Sequence, residues 1–429
     1  MTPRRDATDH GRIRQAISVV GMRAKLRAPP GGPDERLCVH AFGDIDLFDD
    51  ATLSDPYPTY ARLRELGPVV RLEAHGVWAL PRHAGVAAAL RDPATYSSER
   101  ALALTDPVND RFLAGTVVGT DGAAHARLRR VLSRQLAPRA VKSLALGMHE
   151  RARALVEGLP GDGVFDAVAD LAAPFVAGVV MRLMGLPEQD RVLLLELADA
   201  TFDTFGPDNA RTRAAFPHAE EMFRYLDRVA TRDRISADSW LGAIHTAADR
   251  GDIDEAQAVP LMLSYTVAGM DTTIHAITSA LYLSAHTGQW AAIRDRAVPG
   301  EAVLAEALRM EAPIQFFGRR TTREVRVGDT RIPAGDQVLL LYGSAGRDRG
   351  KWGPSADTFD VTRNSRDHLA LGAGIHQCAG NHLAALEFDA VLTALATRFR
   401  NLAPNPDRVP TRRLHNILRG WHTVPLVGE

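Results

Sequence analysis

The segment Leu371-Gly372-Ala373-Gly374-Ile375-His376-Gln377-Cys378-Ala379-Gly380 constrains this chain more than any other. Glycine tolerates positive φ and lets a backbone approach a flat surface closely. An apolar-periodic run, Leu383, Leu386, Phe388, Val391 and Leu392, starts a helix just after Cys378. A sulfur at a helix N-terminus meets unpaired N–H groups and the positive end of the dipole. That setting lowers a thiol pKa and suits a nucleophile as well as a metal ligand. The only other cysteine, Cys38, is distant in sequence, so no disulfide framework exists. Cys38 reads as a bystander thiol.

The first 40 residues carry Arg4, Arg5, Arg12, Arg14, Arg23, Lys25, Arg27 and Arg36, then break at Pro29-Pro30-Gly31-Gly32-Pro33. They read as a basic, disordered tail, or as an extension ahead of a start at Met22. Residues 41–429 read as one domain, although a length of 429 favours several. A helix is expected over Thr59–Leu66, then a hairpin of Val69–Leu72 and Val77–Leu80. Helical patterns dominate from Ala123 to Leu308. Strands return at Val325–Val327 and Val338–Leu341, and Tyr342–Leu371 is irregular. The expected class is mainly α with small β-sheets.

From Ala256 to Ala285 the only formally charged residue is Asp271. Ser264, Thr266, Thr272, Thr273, His275 and Ser279 are too polar for bilayer hydrocarbon. The stretch reads as one long helix through a protein core, which makes the chain cytoplasmic. A net charge of −1 gives no reason to expect nucleic acid or an anionic membrane as partner.

Several smaller patterns carry chemistry or pass for surface. In Ala268-Gly269-Met270-Asp271-Thr272-Thr273, a Thr beside an acid can divert a helical carbonyl and open a groove. Inside an otherwise uncharged helix, a buried acid favours function over a solvated face. Glu306 and Arg309, at i, i+3, share a helix face and form an ion pair, which on a surface is worth little. His125 and Arg129, at i, i+4, point one way. Each alone passes for a solvated surface charge.

Gly-x-Gly-x-His-x-Cys-x-Gly resembles the haem-ligand loop of cytochrome P-450 enzymes, and the other segments follow in the family's order. The resemblance implies a single triangular helical prism around a buried haem b. It makes Cys378 the iron ligand, with Leu371, Gly372, His376 and Gly380 shaping its loop. Ala268 and Gly269 would line the dioxygen groove, and Asp271 and Thr272 would deliver protons for O–O cleavage. His125, Arg129, Arg319 and His376 would meet the haem propionates. Glu306, Arg309 and a third member, Arg363, would be structural. Leu371 departs from the family's usual Phe, which puts the iron potential in doubt.

The implied reaction is a monooxygenation, a hydroxylation or an O-demethylation, with dioxygen as co-substrate. The 51 residues after Cys378 hold no flavin or dinucleotide motif. Electrons from NAD(P)H would therefore come through a separate ferredoxin and its reductase. Arg127, Arg130 and Arg134 form either a docking face or a plain solvated one.

Several segments, including Phe202–Pro207 and Pro313–Glu324, are similar to bacterial enzymes that oxidise para-substituted benzoates. In those enzymes Phe pairs wall a flat pocket. Phe202, Phe205, Phe316 and Phe317 are the matching aromatics, and Arg100 and Ser264 remain of the carboxylate cluster. Leu263 and Val267 replace its other polar members. A planar aromatic substrate with weakened carboxylate capture follows. A biosynthetic tailoring enzyme, hydroxylating or coupling aryl rings of a natural-product intermediate, is the alternative. A peroxide-driven enzyme, a haem sensor and a zinc protein are the rival classes. The Asp271–Thr272 pair argues against the first, and ligand spacing against the last.

Overall fold

The structure, a computed structural model, describes residues 45–429. The basic tail, Met22 and Cys38 lie outside the described residues. A helix covers Tyr57–Leu66, and Val70–Leu72 pairs antiparallel with Val77–Leu80, so the expected hairpin forms. Val77–Leu80 then runs parallel to Gln337–Leu341, which pairs antiparallel with Phe316–Thr321. Tyr96–Ser97 completes this five-stranded sheet. The sheet thus joins the first hundred residues to the last third of the chain. Gly318 is required at the crossing: a Cβ there would lie 2.0 Å from the Ala101 carbonyl oxygen.

The stretch expected to be one long helix is two. Ala258–Thr266 and Asp271–His286 are separated by a turn through Val267–Met270. The cause is local. Thr272 Oγ1 donates to the Ala268 carbonyl at 2.8 Å, diverting an acceptor that the helix would otherwise use. Apolar periodicity continues through the break and does not report it.

A second apolar stretch, Ala167–Met184, is long and apolar enough to span a membrane, with mean hydropathy 1.7. Its apolarity goes inward instead: Leu171, Phe175, Val176 and Ala177 are fully buried in the core. The irregular region after Leu341 contains two single-turn helices, Tyr342–Ala345 and Arg349–Trp352.

That region is pinned by a buried ion pair. Arg309 Nε and Nη2 donate to both carboxylate oxygens of Glu306, at 2.7 and 2.8 Å, with both side chains fully buried. Arg309 also donates to the carbonyls of Gly346, Ala356 and Thr358. Arg363 Nε reaches Glu306 at 3.3 Å and donates to the Trp352 carbonyl. Ser365 donates to the same carboxylate. One fork therefore holds several turns of chain that have no sheet or helix of their own.

Candidate active site

Two glycines shape the loop before Cys378. Gly372 and Gly374 take φ of 67° and 69°, a region that costs other residues strain. A Cβ on Gly374 would also fall 2.5 Å from the Leu90 carbonyl oxygen, so the loop lies directly on the helix His83–Arg91. The Cys378 N–H donates to the Leu371 carbonyl at 2.8 Å and closes the loop. The helix Asn381–Arg398 follows. Burial pushes the Cys378 thiol up, opposed by the Gly380 N–H, the Arg129 charge and the Asn381 N–H. Several partial charges thus favour a thiolate, and a bound metal cation would supply the rest.

Beside this loop the helix Gly122–Leu136 brings His125 and Arg129 to bear. Arg129 Nη2 donates to the Gln377 carbonyl at 2.6 Å, next to the cysteine. The His125 and His376 rings are 4.4 Å apart. His125 is buried and its Nε2 has no partner among the described residues. Burial first, then the charges of His376 and Arg129, lower its pKa to about 4. The ring is therefore neutral at pH 7. Arg319, also buried, donates from Nη1 to the Gly318 carbonyl at 2.7 Å. Beside the loop, His125, Arg129 and His376 suit an anionic group with several oxygens.

His376 Nε2 sits 2.8 Å from Asp121 Oδ1. Burial opposes ionisation of Asp121, but hydrogen bonds from His376, Ser97 and the Ser98 N–H outweigh it and hold the carboxyl at about 2. Sequence reasoning missed Asp121. It passes for an ordinary residue ahead of a helix, and its role comes only from contacts made across the fold.

At the helix break, Ala268 is exposed between buried Val267 and Met270. Gly269 is half-buried, and a Cβ there would lie 2.7 Å from the Tyr265 carbonyl oxygen. Asp271 is only 4% exposed, and its Oδ2 has no partner among the described residues. Burial, reinforced by the charge of Asp199, raises its pKa well above the carboxylate range. Burial therefore favours the uncharged form of Asp271, the residue before Thr272.

Of the aromatic candidates, Phe202 and Phe205 have ring centroids 5.7 Å apart, and Phe205 lies 6.2 Å from Phe317. Phe317 in turn meets Tyr342 edge-on at 6.1 Å. Phe316 points elsewhere, to Phe48 at 5.7 Å. Arg100 is exposed and pairs with Asp110 at 2.7 Å. Ser264 Oγ donates to the Pro260 carbonyl at 3.4 Å.

The cysteine loop under glycine constraint, the basic groups beside it and the acid–alcohol pair at the helix break have the chemistry that a haem-thiolate site would need. The family model of cytochrome P-450 matches residues 300–423. Cytochrome P-450 CYP199A2 of Rhodopseudomonas palustris is 35% identical over 387 residues, covering 89% of this chain and 93% of that protein. The cytochrome P-450 monooxygenase PikC of Streptomyces venezuelae is 32% identical over 404 residues, covering 89% of this chain and 93% of its own. Among solved structures, CYP109Q5 from Chondromyces apiculatus superposes with a TM-score of 0.75 at 28% identity, covering 90% of this chain and 98% of its own. The chain belongs to the cytochrome P-450 family, and its fold is the family's. It is an oxidoreductase, a monooxygenase of the kind that uses a haem and dioxygen.

Proposed function

We propose that the chain hydroxylates or O-demethylates a small planar aromatic compound, with Cys378 as the residue that would bind the haem iron. The observation that carries the site is the sulfur facing the Gly380 and Asn381 N–H groups and Arg129. A bound haem would supply the dioxygen-activating chemistry, which a thiolate ligand favours. Everything else falls to the protein. His125 Nε2, Arg129, Arg319 and His376 would hold the haem's propionates. Asp271 stores a proton, and Thr272 passes it into the groove at Ala268. Glu306, Arg309 and Arg363 do no chemistry and hold the loops in place.

For the substrate, Phe202, Phe205 and Phe317 offer a continuous aromatic wall. With Arg100 engaged by Asp110, carboxylate capture there is weak, which favours neutral or phenolic rings over a simple benzoate. Electrons come from a separate ferredoxin and reductase in the cytoplasm. Arg130 is exposed for docking, whereas Arg127 and Arg134 pair with Asp254 and Asp252.

Titrating haem-loaded protein with 4-methoxybenzoate and with neutral aryl methyl ethers tests the substrate class. The ethers are expected to give the larger low- to high-spin Soret shift. Absence of a shift with every aryl ligand would overturn this reading.

A further inference from the structure

The antiparallel pair Thr411–Arg412 and Trp421–Thr423 carries a loop, Arg413–Gly420, whose tip is buried. Asn416, Ile417 and Leu418 are 2%, 0% and 2% exposed. A buried amide must be paired, and Asn416 uses all of its own. Its Nδ2 donates to the Asp203 carbonyl at 2.7 Å and to Thr212 Oγ1 at 3.1 Å, and its Oδ1 accepts from Asn209 Nδ2 at 2.8 Å. Its backbone N–H donates to Asp203 Oδ1 at 2.7 Å. These partners bracket the turn between the helices Arg191–Asp203 and Ala210–Val229. Gly206, inside that turn, leaves the space that the amide fills: a Cβ there would lie 2.4 Å from Asn416 Cγ.

The residues after Asn416 hold a different segment. The Ile417 carbonyl accepts the Gln315 N–H at 3.0 Å, and the Arg419 N–H donates to the Pro313 carbonyl at 2.8 Å. Ile314 and Leu418 form an isolated antiparallel bridge. Pro313–Gln315 runs directly into the strand Phe316–Thr321, which carries Phe317. His415 stiffens the tip, its Nδ1 accepting the N–H groups of Ile417 and Leu418 at 3.1 and 2.9 Å. Adjacent residues of one loop therefore hold both halves of the aromatic wall: Phe202 and Phe205 through Asn416, and Phe317 through Ile417. The Phe205 carbonyl also accepts the Leu104 N–H at 3.1 Å, a further tie on the same turn.

We propose that Asn416 is a positioning residue for substrate selection: it fixes the turn that carries Phe202 and Phe205 relative to Phe317, and so limits the pocket to thin, flat rings. The inference rests on the reading of these aromatics as the substrate wall. The Phe205 and Phe317 centroids, 6.2 Å apart, are within the range of rings in contact, so a shift of the turn opens the wall. Asparagine suits the position because it is short, donates twice and accepts once. A leucine of similar size leaves the Asp203 carbonyl and the Asn209 amide unpaired. An aspartate sets its oxygens against the Asp203 carbonyl, which has nothing to donate.

The test reads ligand selectivity, independent of turnover. Haem-loaded protein is titrated with a flat ether, 4-methylanisole, and a bulkier one, 4-tert-butylanisole, and dissociation constants are taken from the Soret spin shift. Wild type is expected to bind the flat ether at least about tenfold tighter. In Asn416→Ala, and in Gly206→Ala, whose added Cβ displaces the amide, that ratio is expected to fall at least about fivefold, and no further in the double variant. Asn209→Ser keeps a capping oxygen for its helix but removes the donor to Asn416, and is expected to move the ratio the same way by less. Arg309→Lys, destabilised elsewhere, is expected to keep the wild-type ratio, which separates positioning from loss of stability. A ratio unchanged in all three of the turn and loop variants, or changed equally in Arg309→Lys, overturns the proposal, as does a wild-type ratio near one. If neither ether shifts the Soret band of wild type, the aromatic-wall reading itself falls, and this inference with it.

Discussion

Cys378→Ala is expected to leave a folded chain that has lost the reduced–CO absorption of a thiolate ligand, together with all monooxygenase turnover. The reason is that no substitute donor stands at that position. Cys378 is the free cysteine among the described residues, and no cluster of three or more His, Cys, Asp or Glu there is placed to hold a metal. Of the two imidazoles stacked beside the loop, His125 and His376, the latter is engaged by Asp121. Alanine removes a side chain flanked by Gly380, where a Cβ would sit 3.9 Å from the sulfur, so little packing is disturbed. Far-ultraviolet circular dichroism should therefore match wild type. A retained thiolate-type band in Cys378→Ala would refute the ligand assignment.

The second large effect is on stability. Arg309→Leu is expected to cost about 3–5 kcal/mol, the range for removing one partner of a buried ion pair. Glu306 would be left fully buried, with Arg363, Ser365 and the Asp360 N–H to hold it. The carbonyls of Gly346 and Ala356 would lose their donor as well. Against a typical total of about 5–15 kcal/mol, that loss is large. Arg309→Lys should recover only part, because an ammonium cannot span both carboxylate oxygens and several carbonyls. Urea unfolding midpoints and haem content after purification measure this. An unchanged midpoint in Arg309→Leu would show that the pair is no more than a surface-like contact.

Much of this was legible in sequence because it is local. The hairpin of Val70–Leu72 and Val77–Leu80 follows from strict alternation, and the Glu306–Arg309 pair follows from helical spacing. The glycines of the cysteine loop announce positive φ, which Gly372 and Gly374 adopt. What stayed hidden depends on distant contacts or on side chain competing with backbone. The break at Val267–Met270 comes from one hydroxyl taking one carbonyl, which leaves the apolar pattern intact. Asp121 meets His376 across 255 residues of chain. Adjacent Phe316 and Phe317 lie on opposite faces of a strand, so one packs on Phe48 while the other joins Phe205.

The account turns on protons being delivered at the helix break, and Thr272→Ala tests that most directly. Product formed and peroxide released per NADH consumed should be measured with a surrogate ferredoxin and reductase and an aryl ether that shifts the Soret band. The account predicts unchanged ligand affinity, product yield per NADH lowered several-fold, and peroxide raised to match. Wild-type product yield with no additional peroxide in Thr272→Ala would contradict it.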